Sequence, residues 1–172
     1  MQDLQEKILS KYDIQVHSYP AGNIESIPSF LKEVDKITSL NDNSIIQLMD
    51  CDLICGMSHI NQAISQAIKA FDEKQNFAKD RGLEICVRAS AQKQISQALK
   101  MIGIKNDSNI LVVYINTTSE QLEKTEELLS SRNDKLIEEF DEEAVRKVYE
   151  LNDEEDIINS INEKIALLAL KN

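Results

Sequence analysis

Three cysteines and two histidines are the side chains of this 172-residue chain whose types and spacing could support metal binding or catalysis. Cys51, Cys55 and His59 follow one another at intervals of four residues, and thiolate and imidazole groups are ligands of zinc. The pattern predicts both cysteines on one face of a strand and His59 in the helix that follows. We therefore favour reduced thiols packed in the core, because zinc sites usually have a tighter paired spacing. We expect no metal.

The sequence contains few other residues or motifs that could support catalysis. Cys86 lies near Arg88, which can lower the pKa of a thiol, so a small enzyme that uses Cys86 or His59 is one alternative. His17 has no acidic or nucleophilic partner at a motif spacing. The four glycines form neither a dinucleotide-binding nor a P-loop pattern. We expect a non-catalytic protein with no cofactor and no small-molecule substrate.

The charge of the chain is strongly acidic overall but uneven along its length. The net charge is −11, which argues against tight duplex binding through many phosphate contacts. Residues 57–106 hold eight Lys/Arg and four Asp/Glu, so this segment carries +4. Either these are ordinary solvated helix faces, or the protein has a local basic surface on an acidic body.

Length and composition indicate one globular domain over residues 1–172. Hydrophobic residues make up 42% and charged residues 28% of the chain, with four glycines and two prolines, which argues against a many-turned all-β fold. The longest apolar run, Ile110 to Ile115, is far shorter than the roughly 20 residues of a membrane span. The first residues do not resemble a signal peptide. We expect a cytoplasmic protein that does not bind membranes.

The hydrophobic pattern predicts an α/β fold. Strands are predicted over residues 12–19, 45–55, 83–89 and 110–115, the last being apolar on both faces and therefore central. A full apolar stripe predicts a helix after Gly56, and others are expected after Ser26, after Ser90 as far as Gly103, and over 141–149. The result is a central mixed β-sheet of about four strands covered by helices, with a helical C-terminal part.

Two capping boxes are predicted in that C-terminal part. Thr117 with Glu120, and Asn152 with Glu155, have the spacing in which each residue bonds the backbone of the other. Ile157, Ile158, Ile161, Ile165 and Leu168 then form the last helix.

Two stretches together resemble a known family. The first runs from Ser58-His59-Ile60-Asn61-Gln62-Ala63 through Asn76-Phe77-Ala78 to Ala89-Ser90-Ala91-Gln92-Lys93-Gln94-Ile95, and the second joins Leu151-Asn152-Asp153-Glu154-Glu155 to Glu163-Lys164-Ile165-Ala166-Leu167-Leu168. They are similar to the small PRPK-binding subunit of the KEOPS complex, a tRNA-modifying assembly. Lys93 stands where that family usually has arginine.

The resemblance implies a non-catalytic function. Such a subunit binds the PRPK-like kinase/ATPase subunit of KEOPS and recruits tRNA through its single-stranded 3′ CCA end, while another subunit forms threonylcarbamoyladenosine. An acidic chain can bind RNA when the target is short and single-stranded. An adaptor that binds only protein remains the other alternative.

The resemblance and the chemistry of one segment suggest the RNA-binding residues. Backbone N–H groups at a helix start favour an anion, and flanking cations add charge. Amide and imidazole groups can bond base edges, which specify sequence. Alternatively, these residues are only a helix cap, a solvated lysine and a core histidine. The predicted RNA-binding residues are His59, Arg88, Ser90, Lys93, Gln94 and Ile95.

The last helix suggests a surface for the kinase subunit, because its apolar residues cover more than one narrow stripe. The alternative is that all of them belong to the core. The predicted partner-binding residues are Ile161, Ile165 and Leu168.

Overall fold

The computed structural model describes residues 2–22 and 24–170, with side chains from residue 4 onward. Within these residues the chain forms eight α-helices and three strands. They are α1 (Gln2–Ser10), β1 (Ile14–Tyr19), α2 (Ile27–Thr38), β2 (Ile45–Asp50), α3 (Gly56–Asp72), α4 (Arg81–Ser90), α5 (Ile95–Ile102), β3 (Ile110–Ile115), α6 (Ser119–Glu127), α7 (Glu142–Val148) and α8 (Ile157–Leu170).

The sheet has the strand order β1-β3-β2, and both pairs are antiparallel. All six residues of β3 are buried, so the prediction that residues 110–115 form the central strand is confirmed. Leu111, Val113 and Ile115 face a core cluster to which α3, α4, α7 and α8 contribute. The alternate side chains, Val112 and Tyr114 among them, face a second cluster with α2.

Helices therefore cover both faces of the sheet, and the α/β class with a helical C-terminal part is confirmed. The sheet differs in detail from the prediction, because the described residues contain three strands, all antiparallel, where a mixed sheet of about four was expected. No helix among these residues is long and apolar enough to cross a membrane.

The predicted strand over residues 83–89 is wrong, because this segment is helix α4. Asp80 caps the helix by accepting a 3.0 Å hydrogen bond from the backbone N–H of Leu83. Eight of its ten residues are buried, the charged Glu84 and Arg88 among them, so burial in this helix does not follow the polarity of the side chains. A run of alternating apolar residues then resembles a strand although the local capping and the i,i+4 pair of Glu84 with Arg88 favour a helix.

The strand predicted over residues 45–55 is too long. β2 ends at Asp50, whose carboxylate accepts the Asp52 N–H and starts a single 3-10 turn over Cys51–Leu53. Neither Cys51 nor Cys55 therefore lies on a strand. Gly56 has φ +83°, a left-handed conformation that suits glycine, and it opens α3 as predicted.

Several helix boundaries also shift. Thr118 with Gln121 forms the capping box expected one residue earlier at Thr117 with Glu120. Asn152 and Glu155 do exchange bonds, but within a turn, and α8 starts after Asp156, which accepts the Asn159 N–H at 3.0 Å. The helices after Ser26 and Gly56 and over 141–149 are confirmed, as is Gly103 at the end of α5. Helix α1 was not predicted.

The outer edges of the two outer strands differ, because that of β1 is covered by another segment of the chain and that of β2 is open. On β1, the Ser18 carbonyl accepts the Asn133 N–H at 2.8 Å, and the Ser18 hydroxyl donates to the Asn133 carbonyl at 2.6 Å. The chain between α6 and α7 thus covers this edge. Within the part of the chain that the structure describes, no strand lies beside the outer edge of β2.

Candidate functional site

The connection between α4 and α5 carries the exposed part of the predicted RNA-binding segment. Ala91 ends α4 in a left-handed conformation with φ 57°, which turns the chain away from the helix axis. Lys93 and Gln94 are exposed, and Ile95 is half-buried against the small cluster of Val87 and Ala98. The structure therefore presents a cation, an amide and a partly accessible apolar side chain next to one another.

Helix α5 starts at Ile95, and its first turn is open. Gln94 occupies the N-cap position without a side-chain hydrogen bond to the helix, and the first turn contains no acidic residue. The N–H groups of such a turn have no partner within the helix and favour an anion. A helix start near Lys93 and Gln94 is thus present, but its cap is Gln94, four residues after the predicted cap Ser90.

Ser90 itself is buried at the end of α4 rather than capping the next helix. Its hydroxyl donates to the Val87 carbonyl at 2.9 Å and accepts the Gln92 N–H at 3.3 Å. The predicted anion site at the Ser90 end is therefore wrong in its helix assignment, because the C-terminus of a helix carries the unfavourable end of the dipole for an anion.

Arg88 lies inside the protein, with 1% of its surface exposed. Its Nε donates to Glu84 at 2.7 Å, and its two terminal nitrogens donate to the Gln66 side chain and the Gln75 carbonyl, each at 3.1 Å. The guanidinium carbon is 4.4 Å from the centre of the Phe77 ring. These contacts compensate the charge of Arg88 internally, so Lys93 is the exposed cation of the predicted set.

Glu84 completes this buried arrangement. It is 0% exposed, and its second oxygen accepts the N–H groups of Phe77 and Ala78 at 2.9 and 2.7 Å. Through the pair, α4 holds the chain segment that connects it to α3.

His59 is also fully buried, and both ring nitrogens are occupied. Its Nδ1 accepts the Cys55 N–H at 2.9 Å, which leaves Nε2 to donate to the Ala89 carbonyl at 2.8 Å. The Tyr149 ring packs against it edge to face at 5.8 Å. Burial lowers the pKa of His59 to about 4, so the ring is neutral and joins α3 to α4. A base contact by His59 would need this burial to change.

The geometry does not suit the alternative of a cysteine enzyme. Cys51, Cys55 and Cys86 are buried free thiols, and burial raises the pKa of each to about 12. A nucleophilic cysteine needs the opposite shift. Among the described residues, no group of three or more His, Cys, Asp or Glu side chains is arranged to hold a metal ion.

The predicted partner-binding residues lie on the inner face of α8. Ile161 and Ile165 are 0% exposed and Leu168 is 4% exposed, and all three pack in the core. The large apolar residues of this helix that are exposed are Ile158, Leu167 and Leu170. They lie off the stripe of Ile157, Ile161, Ile165 and Leu168, and this spacing was the signal available in the sequence.

A buried polar cluster on the other side of the sheet was not expected. The Tyr19 hydroxyl donates to Glu126 at 2.7 Å and lies 2.8 Å from the Tyr114 hydroxyl. His17 is 3.7 Å from the same carboxylate, and its pKa is lowered, mainly by burial and then by Arg132. The cluster ties α6 to β1 and β3. Its members come from distant segments, so no local motif marks it.

Two comparisons with known proteins bear on this arrangement. A family described as "Kinase binding protein CGI-121" matches residues 4–170. A protein of Methanocaldococcus jannaschii named "Regulatory protein Cgi121" is 32% identical over 128 residues, which cover 73% of this chain and 83% of that protein.

Proposed function

Because the chain belongs to the CGI-121 family of kinase-binding proteins, we propose that it is a non-catalytic subunit of a KEOPS-type complex. In this function it binds a PRPK-like kinase and recruits tRNA by the 3′ CCA end for threonylcarbamoyladenosine formation. The family match across residues 4–170 is the observation that carries the proposal. We further propose that residues 1–172 form one domain and act in the cytoplasm.

The exposed apolar residues of α8 are the proposed contact for the kinase. Leu167 and Leu170 are 45% and 80% exposed near the end of the helix, and Ile158 is 39% exposed near its start. Apolar side chains of this size are typical anchors of protein interfaces when a partner buries them. The buried residues Ile161, Ile165 and Leu168 pack the inner face of α8 against the rest of the protein.

A binding measurement with the purified kinase tests this surface. Leu167→Glu should weaken binding at least about tenfold, since it introduces a charge into a buried contact. Leu128→Glu, at the residue that directly follows α6 and is 39% exposed, is the matched control and should bind normally. Unchanged binding by both Leu167→Glu and Leu170→Glu would reject α8 as the contact.

The start of α5 is the proposed contact for the tRNA end. Its open N–H groups favour a phosphate, Lys93 adds a positive charge, and Gln94 can bond a base edge. Ile95 offers a partly exposed apolar surface on which a base can pack. A single cation and one helix start suit a short single strand better than a duplex.

The proposal is tested with intact tRNA and with tRNA lacking the CCA end. Lys93→Glu should weaken binding of intact tRNA, and removal of the CCA end should weaken wild-type binding by a similar factor. The two losses should not add, because both delete the same contact. Lys147→Glu, an exposed lysine on α7, controls for a general charge effect.

The alternative of a protein-only adaptor predicts a different result. In that case the protein retains kinase binding while tRNA with and without the CCA end binds equally weakly. The enzyme alternative with Cys86 or His59 draws no support from their buried, fully packed surroundings.

A further inference from the structure

The free edge of β2 forms the floor of a groove of about 830 Å³. Residues 45–48 of the strand lie along this floor. One wall is α2, and the other is formed by the start of α4 and by α5 with the following residues. The groove shares no lining residue with α8 or with the Lys93–Ile95 segment, so it is separate from both proposed contacts.

Some backbone N–H and C=O groups of β2 point into this groove and do not bond β3. Cys51 donates to the carbonyl of Asn109, its register partner beyond the strand end, at 2.9 Å. In an antiparallel pair, bonded and outward-facing residues alternate, so Ile46 and Leu48 point their N–H and C=O groups away from β3. The Leu48 carbonyl accepts the Gln47 amide at 3.2 Å. Among the described residues, β2 pairs with β3 alone.

The walls of the groove are apolar at one end. Ile27 and Leu31 lie in the first half of α2, and Leu99 and Ile104 lie opposite them. Leu31 and Leu99 are 38% and 41% exposed, so large apolar side chains face solvent on both walls. Side chains of an added strand would point alternately to the two walls, and apolar side chains would bury these surfaces.

The other end of the groove is charged, with opposite signs on opposite walls. Asp35 and Asp42 line the side of α2, and neither forms an ion pair within the described residues. Lys79, Asp80 and Arg81 line the side of α4, where two cations and one carboxylate leave a net positive charge. Because neighbouring residues of a strand point to opposite walls, a basic residue followed by an acidic one complements this end.

We propose that this groove binds an extended segment of a partner protein, which adds a strand to the edge of β2. The segment is apolar on both faces over most of its length and carries a neighbouring basic and acidic residue at one end. Main-chain bonds to the N–H and C=O of Ile46 and to the N–H of Leu48 supply the pairing, and the two walls select the side chains.

A second copy of this chain fits the groove less well than a single segment. The edge of β2 lies between two helix walls, so two such edges cannot approach without contact between their own walls. β1 gives the contrasting case, because its edge is covered by Asn133 of the same chain. Exposed edges are usually blocked in this way, and the edge of β2 is instead flanked by apolar walls.

Selection of random heptapeptides displayed on phage against the immobilised full chain tests the proposal. Enriched sequences should be apolar with a basic–acidic pair at one end. The corresponding synthetic peptide should bind Leu31→Glu and Leu99→Glu at least about tenfold more weakly, while Leu128→Glu binds normally. Peptide binding should slow hydrogen exchange at the Ile46 and Leu48 amides, and circular dichroism verifies that each variant is folded.

Three results would overturn the proposal. One is the absence of any enriched sequence, and another is peptide binding that neither Leu31→Glu nor Leu99→Glu alters. The third is a wild-type dimer, detected by ultracentrifugation, that dissociates in both variants, since a second copy would then occupy the groove. None of these measurements depends on kinase or tRNA binding.

Discussion

Replacing Glu84 with alanine should strongly destabilise this protein, because it leaves the buried guanidinium of Arg88 without its counter-charge. Both side chains are at most 1% exposed, and Glu84 also accepts two backbone N–H groups. Breaking a buried ion pair from one side costs about 3–5 kcal/mol. Since domains are stable by about 5–15 kcal/mol, the variant should approach unfolding.

A double-mutant cycle measures how much of the lost unfolding free energy comes from the interaction between Glu84 and Arg88. Glu84→Gln keeps an acceptor for the N–H of Phe77 or Ala78 but leaves Arg88 unpaired, and Arg88→Met leaves Glu84 unpaired. The double variant buries no charge, so its loss should fall short of the sum of the single losses by at least about 1.5 kcal/mol. The chain contains no tryptophan, so urea unfolding is followed by far-ultraviolet circular dichroism.

Two results would refute this reasoning. A loss of less than about 1 kcal/mol for Glu84→Ala would mean that the pair does not hold the fold, since substitutions away from buried networks have effects of that size. Additive losses in the cycle would mean that the two side chains act independently.

Three further predictions concern other parts of the core. The unfolding free energy should fall as the pH is lowered from 6.5 towards 4, because unfolded His59 takes up a proton that the buried ring, with its pKa of about 4, does not. Urea unfolding at several pH values checks this, and His59→Gln should reduce the change of the unfolding free energy with pH by up to about 3 kcal/mol. Gly56→Ala should cost about 1–2 kcal/mol in urea unfolding, because φ +83° strains an L-residue and the new Cβ would lie 3.0 Å from the Glu138 carboxylate. Leu168→Glu should unfold the protein while Leu167→Glu leaves its melting temperature nearly unchanged, since the first side chain is 4% and the second 45% exposed.

Those helices and strands whose hydrophobic pattern fits only one type of secondary structure were predictable from the sequence. The stripe of Ile60, Ala63, Ile64 and Ala67 occurs on a helix with one buried face, and α3 was predicted correctly. Helix α4 is buried on nearly every side, and its residues Leu83, Ile85, Val87 and Ala89 also alternate as they would on a strand. The Asp80 cap and the Glu84–Arg88 spacing were the local signals that favoured a helix there.

For the candidate site, residue type was predictable and burial was not. Arg88 and His59 have the side chains expected of an RNA contact, yet partners that are distant in sequence enclose them, such as Gln66 and Tyr149. Lys93 and Gln94 lie in a connection between helices, where exposure is usual. Exposure of a charged or imidazole side chain thus depends on tertiary packing, which a local motif does not encode.

The position of β3 along the chain has a consequence for synthesis. β1 and β2 each pair with β3 and not with each other, so the ribosome must deliver residue 115 of 172 before any strand pair can close. At about 5–20 residues per second, the 59 residues between the end of β2 and the start of β3 take roughly 3–12 seconds. During this interval two nascent strands are unpaired, which is the stage at which chaperones protect such chains from aggregation.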